Sequence, residues 1–303
     1  MPTLAIASGK GGTGKTSLAV NLASYLAGEY RLLLADLDVE APDCAPYFGS
    51  RADSQQAPRL LQEVYIPVPQ ADDSRCNGCG ACSRACHFGA LVAIKNTVRI
   101  NELLCKGCGH CVRVCPTGAL QERPVSAGKV YALSPLPGHA PVELLYGLLN
   151  IGDIRTTAVI DAVKKKAAEA TASAPGLTLR DCPPGASCPA VRAIHGADYC
   201  ILVAEPTAFS LHDMEKTARM VLAMHIPAGI VVNKAGAGSG DVAALARKLR
   251  LPVLAELPWQ LDIAEHGARA ETALDVPEMI DFLFKLKKAL QQMKLLGVGE
   301  GGL

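Results

Sequence analysis

Two kinds of segment are missing from this sequence: a long uninterrupted apolar run, and a basic segment followed by an apolar one near Met1. A helix that spans a bilayer needs about 20 consecutive, predominantly apolar residues. A secretory leader needs a positively charged start before its apolar stretch. We therefore expect no membrane partner and predict a cytoplasmic location.

Aromatic residues are scarce, at 4% of the chain, and neither sign of charge dominates, since the formal net charge is +1. Proteins that hold single-stranded nucleic acid combine aromatic stacking platforms with basic grooves. A net charge near zero gives little long-range attraction to polyanions. Binding of nucleic acid is therefore not expected. At 303 residues, half of them hydrophobic, the chain is long enough for one large domain plus a smaller unit.

Short apolar runs alternate with helix-length segments through most of the chain. Strands are predicted at residues 3–8, 31–36, 177–179, 199–204, 228–232 and 252–254. Helices are predicted at residues 15–26, 213–224 and 241–250. Apolar strands separated by helices are typical of a parallel sheet that is covered on both faces. The predicted fold class is therefore α/β with a mostly parallel sheet.

The alternation stops between Pro67 and Gly128, where prolines, glycines and eight closely spaced cysteines take over. The segment contains an internal repeat of 29 residues, because the run Cys-x2-Cys-x2-Cys-x3-Cys that begins at Cys76 begins again at Cys105. In a reducing cytoplasm such cysteines are not expected to form disulfides. We predict a duplicated unit, residues 67–128, inserted into a host domain formed by residues 1–66 and 129–303.

Residues 9–16 read Gly-Lys-Gly-Gly-Thr-Gly-Lys-Thr and fit the full P-loop pattern between a predicted strand and a predicted helix. Glycines let backbone N–H groups surround phosphate oxygens, and the N-terminal end of the helix adds positive potential. Lys15 is expected on the β- and γ-phosphates of ATP, and the Thr16 hydroxyl on Mg²⁺. The predicted nucleotide-binding residues of this segment are Gly9, Lys10, Gly11, Gly12, Thr13, Gly14, Lys15, Thr16 and Ser17.

Lys10 is an additional lysine in the second position of the loop. In this context the loop resembles the deviant P-loop of the MinD/ParA family of P-loop NTPases, which also includes the nitrogenase iron protein. The resemblance implies an ATP-dependent homodimer in which Lys10 crosses the interface to the nucleotide of the other subunit. From the residues alone, Lys10 is one more cation in the site.

Three further stretches support the resemblance. Asp36 and Asp38 end the second predicted strand and match paired aspartates of the family, which implies that Asp36 supports the Mg²⁺ shell and that Asp38 orients or deprotonates the attacking water. Without the P-loop beside them, both would be ordinary strand-end charges. Asp181 and Gly185 match the Walker B and switch II segment near Mg²⁺ and the γ-phosphate, and Asn233 matches the base-binding asparagine. The residues with implied catalytic roles are Lys10, Lys15 and Asp38.

The cysteine repeat resembles bacterial ferredoxins, small α+β proteins with two [4Fe–4S] clusters, in which the fourth cysteine of each run binds the other cluster. The implied ligands of cluster 1 are Cys76, Cys79, Cys82 and Cys115. The implied ligands of cluster 2 are Cys105, Cys108, Cys111 and Cys86. Two zinc sites are the alternative, but zinc rarely uses three cysteines at this spacing with a fourth three residues on. Pro116 follows the repeat as in ferredoxins, whereas His87 departs from the pattern.

Four cysteines lie outside the repeat. Cys44 and Cys200 are expected to be small buried apolar residues. Cys188 follows Asp181 by seven residues, which is the offset of a cluster-binding cysteine in the nitrogenase iron protein. Cys188, together with Cys182, is therefore a candidate for a metal or cluster at a dimer interface. A plain loop thiol is the alternative.

Two other features carry expectations. Arg180 occupies a strand position that is normally apolar, and we expect it to pair with a nearby carboxylate. Residues 279–296 carry apolar side chains at helical spacing, which favours a closing helix packed on the sheet over a membrane-targeting helix of the MinD kind.

Three functions are compatible with a P-loop and two clusters in one chain. The first is nucleotide-gated electron transfer to a redox partner, because full cysteine ligation suits clusters that pass electrons. The second is a carrier or maturation ATPase, similar to Mrp-type proteins, which delivers clusters or metals to an acceptor protein. The third is a positioning ATPase similar to MinD, with the clusters as a redox sensor. The cofactors implied are ATP, Mg²⁺ and two [4Fe–4S] clusters.

Overall fold

The computed structural model describes residues 2–49, 57–134, 141–173 and 176–297. These ranges contain a nine-stranded sheet with helices on both faces and a separate two-stranded hairpin. The strands are β1 (Thr3–Ser8), β2 (Leu32–Asp36), β3 (Arg59–Ala71), β4 (Leu91–Ile94), β5 (Thr97–Ile100), β6 (Leu120–Leu133), β7 (Val142–Leu149), β8 (Leu177–Asp181), β9 (Tyr199–Ala204), β10 (Ala228–Ala235) and β11 (Val253–Pro258). The helices are α1 (Lys15–Leu26), α2 (Ala81–Ala85), α3 (His110–Arg113), α4 (Thr156–Ser173), α5 (Cys188–Ile194), α6 (Ala208–Ala223), α7 (Val242–Leu249), α8 (Leu261–Ala268) and α9 (Pro277–Gln292), with a 3₁₀ turn at Ala45–Phe48.

The spatial order of the large sheet is β11-β10-β9-β1-β8-β2-β7-β6-β3. The seven strands from β11 to β7 are parallel. The last two are antiparallel to their neighbours. In parallel strands all carboxyl ends lie at one edge, and ligands bind there in α/β sheets. The ends of β1, β2, β8, β9 and β10 therefore bring their following loops together.

Helices cover the sheet on both faces. One apolar core includes side chains of α1 and α9, such as Leu22 and Phe282, and the other includes side chains of α4 to α7, such as Val159 and Met214. The predicted mostly parallel α/β sheet is confirmed. The C-terminal segment forms α9, whose buried side chains pack into the first core as a closing helix. No helix in the described part of the chain has the length and apolar content needed to cross a bilayer.

The long hairpin of β3 and β6 was not predicted, since prolines argue against a strand. Here Pro67 lies opposite Pro124 in the register, and Pro69 lies two residues further along β3. Neither proline of the facing pair has a backbone N–H, so the pair is suited to a position of an antiparallel ladder where facing residues exchange no hydrogen bonds. Burial alternates along β3 from Val64 to Val68, as the period of two of a strand predicts.

The insert is carried at the end of this hairpin. Ala71 at the end of β3 pairs with Leu120 at the start of β6, and the residues between them form α2, β4, β5 and α3. The predicted boundaries, at 66/67 and 128/129, both fall inside these continuous strands. The division into two domains remains a prediction.

Candidate functional site

The P-loop joins the end of β1 to the start of α1, at the centre of the parallel sheet. Lys15 is buried and its Nζ contacts Asp181 Oδ1 at 2.7 Å, while the Thr16 hydroxyl donates to Asp181 Oδ2 at 2.6 Å. Burial lowers the pKa of Lys15, but the charge of Asp181 and its hydrogen bond outweigh that effect and raise the pKa above its usual range. Three predicted site residues thus meet in one buried contact.

Two carboxylates and a thiol complete the floor of the site. Asp36 Oδ1 accepts a hydrogen bond from the backbone N–H of Asp38 at 3.1 Å, and its Oδ2 accepts one from that of Cys44 at 3.0 Å. Burial raises the pKa of Asp36 and brings that of Asp38 to about 6. Asp36, Cys44 and Asp181 bring ligand atoms within 4.8 Å of one another. The two carboxylates suit a hard divalent cation such as Mg²⁺.

An open groove of about 660 Å³ runs over the P-loop. It is lined by residues 10–17, by Asp38 and by Asp43, so glycine backbone and charged side chains share its wall. An adjoining cavity of about 170 Å³ is lined mainly by apolar groups, among them Trp259 and Ile263. Asn233 borders this second cavity, and its Nδ2 donates to Thr13 O at 2.7 Å. The groove is a polar site suited to phosphates, and the adjoining cavity is an apolar site suited to a nucleotide base.

Lys10 forms an ion pair that the sequence did not indicate. Its Nζ lies 2.5 Å from Glu205 Oε1, and Lys234 Nζ lies 3.2 Å from the other carboxylate oxygen of Glu205. Burial raises the pKa of Glu205, but hydrogen bonds from the two lysines outweigh it and keep the pKa below its usual range. Lys10 therefore faces a carboxylate of its own chain, directly after β9. The only sequence signal for Glu205 is its place at a strand end.

Gly14 is required by the backbone of the P-loop. Its φ is +86°, and a Cβ at this position would lie 2.1 Å from Asn233 Nδ2. A left-handed conformation costs a non-glycine residue about 1–2 kcal/mol. Gly14→Ala is expected to weaken MgADP binding about tenfold or more, since 1.4 kcal/mol is a factor of ten. Titration calorimetry measures the effect. Gly28→Ala, at an exposed glycine with open space around it, is the control, and equal affinities of the two variants would contradict the prediction.

The segment after β8 lies against the P-loop strand. The Gly185 N–H donates to Ser8 O at 2.8 Å. Arg180 does not pair with a carboxylate as expected: its Nη1 donates to the carbonyl oxygens of Ala193 and His195, at 3.2 and 3.1 Å. These carbonyls lie at the C-terminal end of α5, where a helix leaves acceptors without partners. The Arg180 guanidinium on β8 thus binds the C-terminal end of α5, the helix that follows Gly185.

The four cysteines outside the repeat differ in exposure. Cys44 and Cys200 are buried, as expected, and Cys182 is also fully buried in the second core, where burial raises its pKa to about 12. Cys188 is exposed at the start of α5. Cys182 and Cys188 therefore do not face the same environment, and a shared site at an interface remains only a prediction.

The cysteine repeat surrounds two cavities in the insert. The first is lined by the four residues predicted for cluster 1, Cys76, Cys79, Cys82 and Cys115. The second is lined by the four predicted for cluster 2, Cys86, Cys105, Cys108 and Cys111. Each cavity thus takes three cysteines from one run and the fourth from the other.

Backbone geometry shapes both cavities. Gly78 and Gly107, at equivalent positions of the repeat, have φ of +69° and +68°. A Cβ on Gly78 would lie 1.8 Å from the carbonyl oxygen of Lys95, so the loop requires glycine there. Backbone N–H groups also point at thiols, since Ala90 N donates to Cys86 Sγ at 3.3 Å. All twelve cysteines are free.

The spacing of the sulfur atoms is too wide for one zinc ion per cavity. Tetrahedral ligation at about 2.3 Å would place thiolate sulfurs about 3.8 Å apart. Among the described residues, the only group of three or more potential ligand atoms within 4.8 Å of one another is the aspartate and cysteine group under the P-loop. Among the described residues, the cysteines around each cavity are therefore more widely spaced than the ligands of one bound zinc ion.

The fold and the site define a P-loop nucleotide-binding protein whose phosphate groove lies at the carboxyl edge of a mostly parallel sheet. Residues 4–273 match the model of the CobQ/CobB/MinD/ParA nucleotide binding domain. The chain belongs to this family and is a nucleotide-binding ATPase of the MinD/ParA type.

Two relatives come from Methanocaldococcus jannaschii. Uncharacterized protein MJ0579 is 28% identical over 283 residues, which cover 93% of this chain and 95% of the relative. Uncharacterized protein MJ0578 is 33% identical over 233 residues, which cover 77% and 78%. The similarity to each relative therefore extends over more than three quarters of both chains.

Solved structures share the fold. The septum site-determining protein MinD of Pyrococcus horikoshii, complexed with Mg-ADP, has a TM-score of 0.61 and 17% identity and covers 99% of both chains. The MinC:MinD complex of Aquifex aeolicus gives a TM-score of 0.59 at 14% identity, with 98% of each chain covered. At these identities the likeness concerns the fold alone.

Proposed function

We propose that this protein is an ATP-hydrolysing iron–sulfur protein, in which the nucleotide state gates electron transfer through two [4Fe–4S] clusters to a redox partner. The observation that carries the proposal is the pair of cavities lined by crossed sets of four cysteines, in a chain that also carries a complete P-loop site. The cavities fit clusters because all lining thiols are free and the sulfurs are spaced too widely for a single ion.

On the nucleotide side, the triphosphate takes Lys15 away from Asp181. Lys15 would then neutralise phosphate oxygens, and Thr16, Asp36 and Asp181 are the residues that would hold Mg²⁺. No buried charge would be left unpaired, because Lys15 would gain phosphate oxygens as partners and Asp181 would gain Mg²⁺. Asp38 lines the same groove and is positioned to orient or deprotonate the attacking water.

A homodimer follows from the role proposed for Lys10. In this structure Lys10 is held by Glu205 of the same chain. We infer that ATP draws Lys10 across the interface, while Lys234 continues to neutralise Glu205. The gain is a charge-assisted contact to phosphate. The dimer is thereby made dependent on the triphosphate.

On the redox side, each bound cluster would store and release one electron. Ligation by four cysteines leaves no coordination position for a substrate, which suits electron transfer. Cys79 and Cys108, at equivalent positions of the two runs, are exposed, whereas Cys82, Cys105 and Cys111 are buried. Each cluster site therefore approaches the surface at one cysteine, where a protein partner can come close.

The test is an anaerobic redox titration followed by EPR, with and without MgATP, on protein that contains about eight irons per chain. We expect MgATP, but not MgADP, to change the potential of at least one cluster or its rate of reduction. Identical curves and rates would refute gating. Protein without iron after anaerobic reconstitution would refute the clusters themselves. Transfer of iron to an apo-acceptor protein would instead indicate a carrier.

A further inference from the structure

The two cysteine cavities of the insert have the same ligand spacing but different surroundings. The repeat of 29 residues makes each lining position of one cavity equivalent to a position at the other. At three of these positions the residue types differ in kind between the cavities. They are Lys106 at cluster 2 for Asn77 at cluster 1, His110 for Ala81, and Phe88 for Thr117. Among the described lining residues, a lysine, an imidazole and an aromatic ring thus occur at the cluster 2 cavity and not at the other.

The three residues at cluster 2 reach the surface. Lys106 and His110 are exposed, and each lies two residues from Cys108, the exposed thiol of that site. The Phe88 side chain is 48% exposed. Lys106 Nζ donates to the carbonyl oxygen of Ile154 at 3.4 Å and forms no ion pair with any residue that the structure describes. Its charge is therefore available to a carboxylate from outside the chain.

The symmetry of the repeat adds a second apolar side chain next to Phe88. Leu104 is 40% exposed and occupies the position that Arg75 has in the first half of the repeat. Arg75 Nη2 donates to the carbonyl oxygen of Thr117 at 3.0 Å. Leu104 and Phe88 occupy the positions equivalent to this contacting pair. We define the cluster 2 face as the exposed residues Phe88, Leu104, Lys106, Cys108 and His110.

The corresponding groups at cluster 1 are bound within the insert. Asn77 Oδ1 accepts a hydrogen bond from the backbone N–H of Cys79 at 3.2 Å, and the Thr117 carbonyl is occupied by Arg75. Ala81 has no polar side-chain group to offer. Protein interfaces combine apolar and aromatic side chains at the centre with polar groups at the rim. Of the two sites, the one at cluster 2 therefore has the composition of a contact surface.

The charge of the insert indicates the kind of partner. Residues 72–119 contain six lysines and arginines and three aspartates and glutamates, whereas the whole chain contains 30 and 29. One of the three carboxylates, that of Glu102, is in an ion pair with Arg123 of β6. A basic surface favours an acidic partner, and two copies that met through this face would bring like charges together. The charge therefore favours an acidic protein over a second copy of the chain.

We propose that the cluster 2 face is the docking surface for an acidic electron-transfer protein, whose carboxylates meet Lys106 and His110 and whose apolar surface packs on Phe88 and Leu104. The inference rests on the proposed function and deepens it, because it names the cluster site that meets the redox partner and the chemistry of that partner. Cys108 lies in the face, so the redox group of the partner comes close to the cluster 2 site. Complexes of this kind bury little surface and weaken when salt is added.

The first test measures the affinity of the iron-loaded chain for a purified flavodoxin of negative net charge. Flavodoxin carries FMN and no iron, so the iron analysis of the chain is not disturbed. The triple variant Phe88→Thr/Lys106→Asn/His110→Ala gives cluster 2 the residues that the repeat has at cluster 1. Because it removes a central aromatic side chain and two donors, it is expected to weaken binding about tenfold or more. Calorimetry under anaerobic conditions measures the affinity.

Lys95→Asn is the matched control, because it removes one positive charge from another exposed position of the insert. The Lys95 carbonyl oxygen lies against Gly78, in the loop of cluster 1. Its φ is +51°, a conformation that asparagine tolerates. We expect the affinity of this variant to stay within about threefold of wild type, since solvent and salt screen a distant charge.

The second test locates the contact directly. Carbodiimide joins a lysine Nζ and a neighbouring carboxylate as an amide, and mass spectrometry identifies the linked peptides. We expect flavodoxin to be linked to Lys106 and not to Lys95. Added salt should prevent the link and lower the wild-type affinity more than that of the triple variant. A link at Lys95 alone would contradict the proposed surface.

Iron content and circular dichroism are measured for every variant. If the triple variant loses iron, the single variant Lys106→Asn takes its place, because the equivalent loop at cluster 1 already carries asparagine there. Equal affinities of wild type and variant, an equal loss in Lys95→Asn, or no binding of flavodoxin at low salt would refute the docking surface. A dimer of the chain, or attachment to vesicles of anionic lipid, that the triple variant abolishes would assign the face to another occupant and overturn the proposal.

The failure of this inference and that of gating are distinguishable. The potentials of the clusters are measured without flavodoxin, so a shift caused by MgATP supports gating whatever the binding experiment shows. Binding that depends on the cluster 2 face, in a chain whose potentials and reduction rates ignore MgATP, would leave the docking surface in place and refute gating.

Discussion

Asp38→Asn is expected to lower ATP turnover at least 100-fold while MgATP still binds. The substitution removes a carboxylate that can accept a proton from the attacking water, and positioned general bases contribute about 10²–10⁴-fold to a rate. Binding is retained because Asp38 makes none of the buried contacts that unite Lys15, Thr16 and Asp181. Phosphate release measures turnover, and equilibrium titration with MgATP measures binding.

Asp43→Asn is the matched control for this variant. Asp43 is exposed and lines the same groove, so the control removes the same formal charge from a more exposed position of that groove. We expect its turnover to stay within about threefold of wild type, as for an exposed charge screened by solvent. Equal losses in both variants would indicate a general electrostatic effect, and full activity of Asp38→Asn would remove Asp38 from the mechanism.

Replacing residues 72–119 with a two-residue Asn-Gly turn should abolish iron binding and leave MgATP binding intact. Ala71 and Leu120 are direct partners in the register of β3 and β6, so a tight hairpin turn can join them. Val68 is fully buried in the core of the insert and would lose its cover, so Val68→Thr is included. Iron analysis, circular dichroism and MgATP titration give the result.

The control for the deletion is the full chain with all eight repeat cysteines changed to serine. It also loses iron but keeps the insert, so it shows whether an insert without clusters disturbs the host. A deletion variant that fails to fold, or that folds without binding MgATP, would show that the host depends on the insert. That result would overturn the predicted division of the chain.

Much of the phosphate site was predictable because each part follows a buried strand. Gly9–Thr16, Asp36 and Asp181 lie after apolar runs, and carboxyl ends of parallel strands meet at one edge. The two cysteine sets were predictable from the repeat, and the two cavities are lined by the same sets. In both cases spacing along the chain determines position in space.

Residues that belong to no repeat or motif could not be predicted from the sequence in this way. Glu205 and Trp259 belong to no sequence motif. Their contacts with the site depend on which strands are neighbours in the sheet. Arg180 was expected to meet a carboxylate, whereas the C-terminal carbonyls of a short helix are its acceptors. The hairpin of β3 and β6 was missed because prolines count against a strand unless the pairing register is known. Each miss concerns a contact between segments that are distant in sequence.

The contact between Lys15 and Asp181 matters for the nucleotide-free protein between two rounds of ATP hydrolysis. Lys15 and Asp181 neutralise each other, so release of ADP and Mg²⁺ leaves neither buried side chain with an unpaired charge. Product dissociation then requires no partial unfolding around the loop. An incoming ATP molecule therefore meets a loop whose buried charges are already paired, and in the proposed homodimer its binding energy contributes to the association of the two subunits.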